Sequence, residues 1–543
     1  MGKLRIIMAQ LNLLVGDIAG NTSKIIEAAE SARDEHQADL VVFPELTLTG
    51  YPPEDLLLRP ALHEQIKNAL DTIRQSTSGI GVIFGYPEDT EEGTFNTAIC
   101  IADGEILAKY RKQYLPNYGV FDEKRYFIAA SAPCVFIYNG VRLGVTICED
   151  IWQSGPVNQA KHAGARLALN LNASPFHANK RTEREDIVKR RAKVAGIPIV
   201  YVNLVGGQDE LVFDGESFVV NSDGKVTQRA IAFEERLEIV DFSVDENGNC
   251  DPEAGPVQTY SSGEESVYRA VVLGIRDYIE KNLFKGVVIG LSGGIDSALT
   301  LAMAVDALGA DRVEAVLMPS QYTAEMSVND AVEESRLLGV RHRIISIESV
   351  YQAFLDTLKD EFAGTTVDTT EENIQARCRG IILMAIANKN HKIVLTTGNK
   401  SEMSVGYATL YGDMAGGYAP LKDLPKLMVY RLSRYRNSIS RVIPERVITR
   451  PPSAELAPDQ KDEDSLPPYE ILDPILEMYI ERDISPEEII VHGFDEATVH
   501  KVVTMVNRNE YKRRQAVPGV RITQRAFGRD RRYPITSGYT EIE

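Results

Sequence analysis

Two α/β domains of ordinary size are what this sequence predicts, and three observations carry the expectation. The chain has 543 residues, beyond the length at which a single hydrophobic core stops growing. Short β-branched runs alternate with longer amphipathic segments in both halves. Between the halves a polar, acidic stretch, Asp245-Glu-Asn-Gly-Asn-Cys-Asp-Pro-Glu-Ala-Gly-Pro256, interrupts the apolar period. The division therefore reads as domain 1–245, linker 246–263 and domain 264–543.

In the front half, runs at 40–43, 81–85, 141–147 and 197–205 have the composition of strands. Helix-like stretches lie between them, among them 21–35, which opens on an Asn/Thr/Ser cap cluster, and 181–195. The rear half starts with an amphipathic helix at 264–282, and strands at 286–291, 313–318, 343–347 and 392–396 alternate with helical patterns after it. That order predicts a doubly wound parallel sheet. Residues 412–426 and 444–468 are rich in Gly, Pro and charge, have no period and are long for connections, so they read as lids or disordered loops. No internal repeat is found.

Composition narrows the class. With 44% hydrophobic and 25% charged residues the chain reads as a soluble globular enzyme. A net charge of -19 argues against a general nucleic-acid binder. A local basic cluster stands near the C-terminus, where Arg508, Lys512, Arg513, Arg514, Arg521, Arg525, Arg529, Arg531 and Arg532 face only Glu510 and Asp530. Five cysteines without a CxxC pair or a His/Cys cluster suit a reducing compartment and give no zinc signal. No signal-peptide pattern opens the chain and no apolar run reaches the roughly 18 to 20 residues of a membrane span, so a cytoplasmic protein is expected.

Two groups of residues carry chemistry. Glu45, Lys112 and Cys148 each stand where an apolar run ends, in Val42-Phe-Pro-Glu45, Tyr110-Arg-Lys112 and Val145-Thr-Ile-Cys148-Glu-Asp. Hydrolysis of an amide by a thiol needs a nucleophile, a base and a donor or cation for the oxyanion. Cys148, Glu45 and Lys112 can fill those roles in that order. Singly, each has an ordinary explanation, a buried cysteine being most often a small hydrophobe.

The second group is the run Val287-Val-Ile-Gly-Leu-Ser292-Gly-Gly-Ile-Asp296-Ser297, a strand, a glycine-rich turn and a helix start. Gly293 and Gly294 let backbone N–H groups approach a phosphate, and the helix N-terminus favours its charge. The Gly-Lys-Ser/Thr ending of a Walker A loop is missing. Asp296 would repel phosphate unless a Mg²⁺ lay between them. Helix capping could account for Asp and Ser singly, though not for the whole run.

The three segments around Glu45, Lys112 and Cys148 resemble the nitrilase, or carbon–nitrogen hydrolase, superfamily. Gly50-Tyr-Pro, Phe95-Asn-Thr-Ala and Asn170-Leu-Asn-Ala-Ser174-Pro reinforce the match. The resemblance implies an α-β-β-α sandwich, Glu45 as general base, Lys112 stabilising the tetrahedral intermediate and Cys148 forming a glutamyl thioester. It also implies that Tyr118, Ser174 and Lys180 hold glutamine. The glycine turn resembles that of N-type ATP pyrophosphatases, which implies a Rossmann-like domain that cleaves ATP between the α- and β-phosphates. Gly290, Leu291, Ser292, Gly293, Gly294, Ile295, Asp296 and Ser297 would bind the nucleotide.

Glu372-Asn373-Ile-Gln-Ala-Arg377, Thr396-Thr397-Gly-Asn-Lys-Ser-Glu402, Tyr411-Gly-Asp413 and Tyr511-Lys512-Arg-Arg-Gln are similar to segments of NAD synthetases. With the amidase half, the whole resembles the glutamine-dependent NAD synthetase family. Carried over, Thr397 contacts ATP, Asp296 and Glu402 ligate Mg²⁺, and Asn373, Glu402 and Lys512 hold deamido-NAD. Lys426 and Ser453 are weaker candidates for ATP. Leu410 departs from single-domain relatives, which have lysine there.

The resemblance further implies glutamine, ATP and deamido-NAD as substrates and a homo-oligomer, dimer or larger. Free ammonia in neutral water is mostly ammonium, which has no lone pair, so an enclosed path from Cys148 to the Asp296 loop is expected. Three rivals stand beside this reading: a ligase with another acceptor, an RNA-modifying enzyme on the same loop, and a binding protein with a dead amidase. The Glu-Lys-Cys set disfavours the first and third, and the net charge disfavours the second.

Overall fold

The computed structural model describes residues 2–458, 460–539 and 541. The chain divides into two compact units, 1–261 and 262–543.

In the first unit a seven-stranded sheet runs, edge to edge, Cys250–Pro252, Arg236–Val244, Gly2–Gln10, Leu40–Val42, Gly81–Thr90, Gly93–Ala102 and Glu105–Arg111. A six-stranded sheet runs Val226–Arg229, Phe218–Val220, Ile199–Asn203, Leu167–Asn172, Val141–Ile147 and Cys134–Tyr138. The central strands of both sheets are parallel and the outer ones antiparallel. Parallel strands covered on both faces need apolar side chains on both. Gly2–Gln10 shows why its run is unbroken: Leu4, Ile6 and Met8 share a core with Leu143, Leu169 and Val202 of the other sheet. Ile7 and Ala9 on its opposite face pack with Ile25 and Ala29 of helix Ile18–Asp34 and Ile66 of helix Pro60–Ser76. Helices Gly155–His162 and Lys180–Ala195 cover the outer face of the second sheet. The layers are the expected α-β-β-α sandwich.

Local details differ from the sequence reading for identifiable reasons. The first helix begins at Ile18, capped by Asp17, whose Oδ1 accepts from Gly20 N at 2.9 Å. Asn21 and Thr22, expected as caps, are buried inside it, and Asn21 Nδ2 holds the loop carbonyls of Leu14 and Leu48 at 2.9 and 3.2 Å. Within 246–263, Cys250–Pro252 pairs with Phe242–Val244 as an edge strand, and Asp245 Oδ1 accepts from Asn247 N and Asn249 N at 2.8 Å each to form the turn.

The second unit has a four-stranded parallel sheet in the order Arg341–Ile344, Val313–Leu317, Val287–Gly290 and Ile393–Leu395. Val288, Val316 and Val394 face Ile374 and Cys378 of helix Thr369–Asn390. Helices Gly263–Lys281, Ile295–Leu308 and Lys426–Ile439 form a layer around the first strand's crossover. Strand order reverses direction between Val287–Gly290 and Ile393–Leu395, so a crevice opens at their carboxyl ends, where doubly wound sheets bind ligands. The two periodless stretches contain order: helix Lys426–Ile439 starts at the end of the first, and Glu445–Thr449 is helical within the second. Among the described residues no helix is long and apolar enough to cross a membrane.

Candidate active sites

The candidate amidase centre is built at strand ends. Glu45 follows strand Leu40–Val42 and is fully buried. Its backbone crosses strand Gly81–Thr90 at Gly85, where a Cβ would lie 2.2 Å from Leu46 N, so no larger residue fits there. Lys112 follows Glu105–Arg111 and is also fully buried. Its Nζ donates to Glu45 Oε1 at 2.6 Å and to both oxygens of Glu123 at 2.8 Å. Asn96 Nδ2 and Ala173 N donate to Glu45 at 2.8 and 3.1 Å, and Tyr51 OH donates to Glu123 at 3.0 Å. Cys148 follows strand Val141–Ile147 and opens the helical turn Cys148–Ile151 with φ +43°, a left-handed conformation costly for a side-chain-bearing residue and concentrated at functional sites.

Electrostatics bind the centre together. Burial would pull the Lys112 ammonium down, but Glu123 and Glu45 hold it well above its usual value. Burial pushes the Cys148 thiol well up; Glu45 adds to the rise and Lys112 opposes it. Glu123 is pushed up to about 7 by burial, with Lys112 opposing. Sequence reasoning missed Glu123 because nothing local marks it: in Phe121-Asp-Glu123-Lys it reads as a solvated loop acid.

Tyr118 and Lys180 come together around a further unassigned residue, Glu149. Tyr118 OH donates to Glu149 Oε2 at 2.9 Å, and Lys180 Nζ lies 4.0 Å from the centre of the Trp152 ring. Burial lowers the Lys180 pKa, while Cys148 and Glu149 act to raise it. Ser174 is buried next to Ala173, its N–H donating to Asn203 Oδ1 at 2.9 Å.

In the second unit the turn after Val287–Gly290 is tied by hydroxyls. Ser292 Oγ and Ser297 Oγ are 3.1 Å apart, Gly294 N donates to Ser292 Oγ at 3.2 Å, and Leu291 N donates to Val316 O at 3.0 Å. Helix Ile295–Leu308 begins directly after, so Gly290 ends the strand, Leu291, Ser292, Gly293 and Gly294 form the loop, and Ile295, Asp296 and Ser297 stand on the first turn of the helix. Gly293 has φ +80°, and a Cβ there would lie 2.3 Å from Ser327 O. Gly293→Ala is therefore expected to cost at least about 1–2 kcal/mol for the left-handed backbone alone, before the steric clash. The variant should show a lower melting temperature and a higher KM for ATP.

Asp296 Oδ2 accepts from Lys426 Nζ at 2.5 Å and its Oδ1 from Asn399 Nδ2 at 2.9 Å. The same Lys426 Nζ reaches Glu402 Oε1 at 3.2 Å. Burial pushes Glu402 up to about 8; Lys426 opposes and Asp296 adds. Two carboxylates thus converge on the Lys426 ammonium beside the glycine turn; among the described residues no group of three or more His, Cys, Asp or Glu side chains is placed to hold a metal ion. Lys426, the weaker candidate in the sequence, lies between the two carboxylates.

Thr397 is in the loop between strand Ile393–Leu395 and helix Lys400–Val405, at the crevice. Asn373 Oδ1 accepts from Thr409 Oγ1 at 2.8 Å, and Lys512 Nζ donates to Gly406 O and Ala408 O, each at 2.8 Å. Ser453 Oγ is bonded to Gln460 O in a segment whose Arg450 reaches the Gly293 carbonyl. Thr396, Gly398, Glu402, Asp413, Lys422 and Ala516 line a cavity at this end of the sheet. Much of the basic cluster is structural: Arg513, Arg514 and Arg531 converge on Glu510, and Arg521 pairs with Asp530 at 2.6 Å.

Fold and sites together define a two-centre enzyme, a cysteine amidase sandwich on one chain with a nucleotide-binding doubly wound domain. Residues 5–249 match the carbon-nitrogen hydrolase family and 267–516 the NAD synthase family. A glutamine-dependent NAD(+) synthetase of Xylella fastidiosa strain 9a5c is 50% identical over 544 residues, 99% of each chain. That of Thermotoga maritima is 47% identical over 578 residues, 100% of each. The structure of glutamine-dependent NAD+ synthetase from Acinetobacter baumannii, in complex with ADP, superposes with a TM-score of 0.81 at 46% identity over 100% of both chains. The chain belongs to the glutamine-dependent NAD(+) synthetase family.

Proposed function

We propose that the protein hydrolyses glutamine to glutamate and ammonia in its first unit and uses the ammonia in its second to convert deamido-NAD to NAD, ATP being cleaved to AMP and pyrophosphate. This is the final step of NAD biosynthesis. The observation that carries the reading is the fully buried Lys112–Glu45 pair at 2.6 Å, electrostatically joined to Cys148. A buried charge pair of this kind is retained where it performs chemistry, because a well-packed apolar substitute is often no less stable.

Glu45 takes the thiol proton as Cys148 attacks the side-chain amide carbon. Lys112 donates to the oxyanion, Glu45 returns the proton to the departing ammonia, and a glutamyl thioester remains. Glu45 then takes a proton from water as the water oxygen attacks the thioester carbon, and the C–S bond breaks to release glutamate, the proton passing to the Cys148 sulfur. Free glutamine is a zwitterion. Lys180 and Tyr118 are suited to its carboxylate, Ser174 supplies a hydrogen bond, and Glu149 supplies the anion its ammonium group needs. Glu149→Gln is expected to raise KM for glutamine by roughly ten- to a hundredfold, the worth of one charged hydrogen bond. The kcat should stay within a few-fold; an unchanged KM would exclude that contact.

In the second unit the Ser292–Ser297 turn and the following helix N-terminus receive the phosphates, with Thr397 and Lys426 beside them. Ser453 is a further candidate contact. Asp296 and Glu402 are the carboxylates that would hold Mg²⁺, which would offset phosphate charge when bound. Asn373, Glu402 and Lys512 receive deamido-NAD, whose carboxylate is adenylated before ammonia displaces AMP. A homo-oligomer in the cytoplasm is part of the same reading. Incubation with ATP, Mg²⁺, glutamine and deamido-NAD should yield NAD, AMP and glutamate together. Glutamate without NAD or AMP would overturn the assignment.

A further inference from the structure

Asp150, two residues after the nucleophile, is fully buried and accepts four hydrogen bonds. Its Oδ1 takes Gln113 N at 3.1 Å and Tyr114 N at 2.9 Å; its Oδ2 takes Tyr110 OH at 2.7 Å and Ile147 N at 3.0 Å. Tyr110, Gln113 and Tyr114 bracket Lys112, while Ile147 and Asp150 itself bracket Cys148. We propose that Asp150 is a positioning residue of the amidase reaction, its carboxylate fixing the backbone that carries Lys112 against the turn that carries Cys148.

The chemistry of the four donors makes this specific to a carboxylate. Three are backbone N–H groups, which can only donate, so the group between them must offer lone pairs at both oxygens. Asparagine would turn an NH₂ toward N–H groups. A buried carboxylate without a cation in contact is costly to keep, and hydrogen bonds to ionised acceptors are the strong ones that offset this. Cys148 at φ +43° also depends on a held turn. The ammonium of Lys112 and the sulfur of Cys148 approach from different strands, and a displacement of about 1 Å in such a centre costs on the order of a hundredfold in rate.

The inference rests on the amidase reading and is tested with Asp150→Asn and Tyr110→Phe in the full chain. Glutamine-driven and ammonia-driven NAD formation are measured side by side, with the rate at which iodoacetamide alkylates Cys148. Asp150→Asn is expected to lower the glutamine-driven kcat by roughly a hundredfold, with KM for glutamine within a few-fold and ammonia-driven synthesis unchanged. Tyr110→Phe, which removes one donor of four, should lower the same kcat less and leave the melting temperature near that of the parent. Should Asp150→Asn not fold, Tyr110→Phe decides alone. Parental kcat in the folded variants, or an effect confined to KM, overturns the positioning role. Absence of glutaminase activity in the parent protein would instead overturn the reading beneath it.

Discussion

Cys148→Ala is expected to abolish glutamine-driven NAD formation, a loss of at least roughly ten-thousandfold, and to leave ammonia-driven formation at its parental rate. Alanine keeps the buried turn but has no atom to attack the amide, and neither Glu45 nor Lys112 can take over. Both are held by hydrogen bonds to other groups, Glu45 to Asn96 and Ala173 and Lys112 to Glu123. The acceptor chemistry belongs to a separate compact unit starting at Ser262, so supplied ammonia should bypass the lesion. The ammonia-driven rate should rise with pH, because only the unprotonated molecule attacks. Residual glutamine-driven activity above a thousandth of the parental rate would exclude Cys148 as the nucleophile.

Asp296→Ala, in contrast, is expected to lose both reactions by roughly a thousandfold or more. Its carboxylate accepts from Lys426 and Asn399 and stands on the first turn after the glycine loop. Removing it leaves Lys426 paired with Glu402 alone and takes away half of the converging carboxylate set. Pyrophosphate release, measured with deamido-NAD present, is the appropriate readout, since it precedes any use of ammonia. Parental pyrophosphate release would place the nucleotide elsewhere. The pair of variants separates the centres: one is rescued by ammonia and the other is not.

What could be read along the chain was whatever a short run of residues specifies. The Ser292–Ser297 turn was legible because its strand, glycines and helix start are contiguous. The sheet-forming runs were legible because a strand covered on both faces must be apolar at successive positions, as Leu4 to Met8 are. Glu123 was not legible, since its burial against Lys112 and Tyr51 comes from a loop that folds back on two other segments. Lys426 was ranked low because it ends the periodless loop 412–426, where position along the sequence says little about placement; its pairing with Asp296, 130 residues away, comes from the tertiary fold. In the basic tail, Arg513, Arg514, Arg521 and Arg531 form an internal network around Glu510 and Asp530, pairings that only the folded chain reveals.

The sequence by itself determined the two α/β units, the glycine turn and the three residue types of the amidase, because periodicity, backbone freedom and motif context act over a few neighbouring residues. Only the tertiary structure decided which charges are buried, which carboxylates share a cation and which backbone segments Asp150 joins. Those properties depend on desolvation and on distances of about 3 Å between atoms far apart in the chain, and no local pattern encodes them.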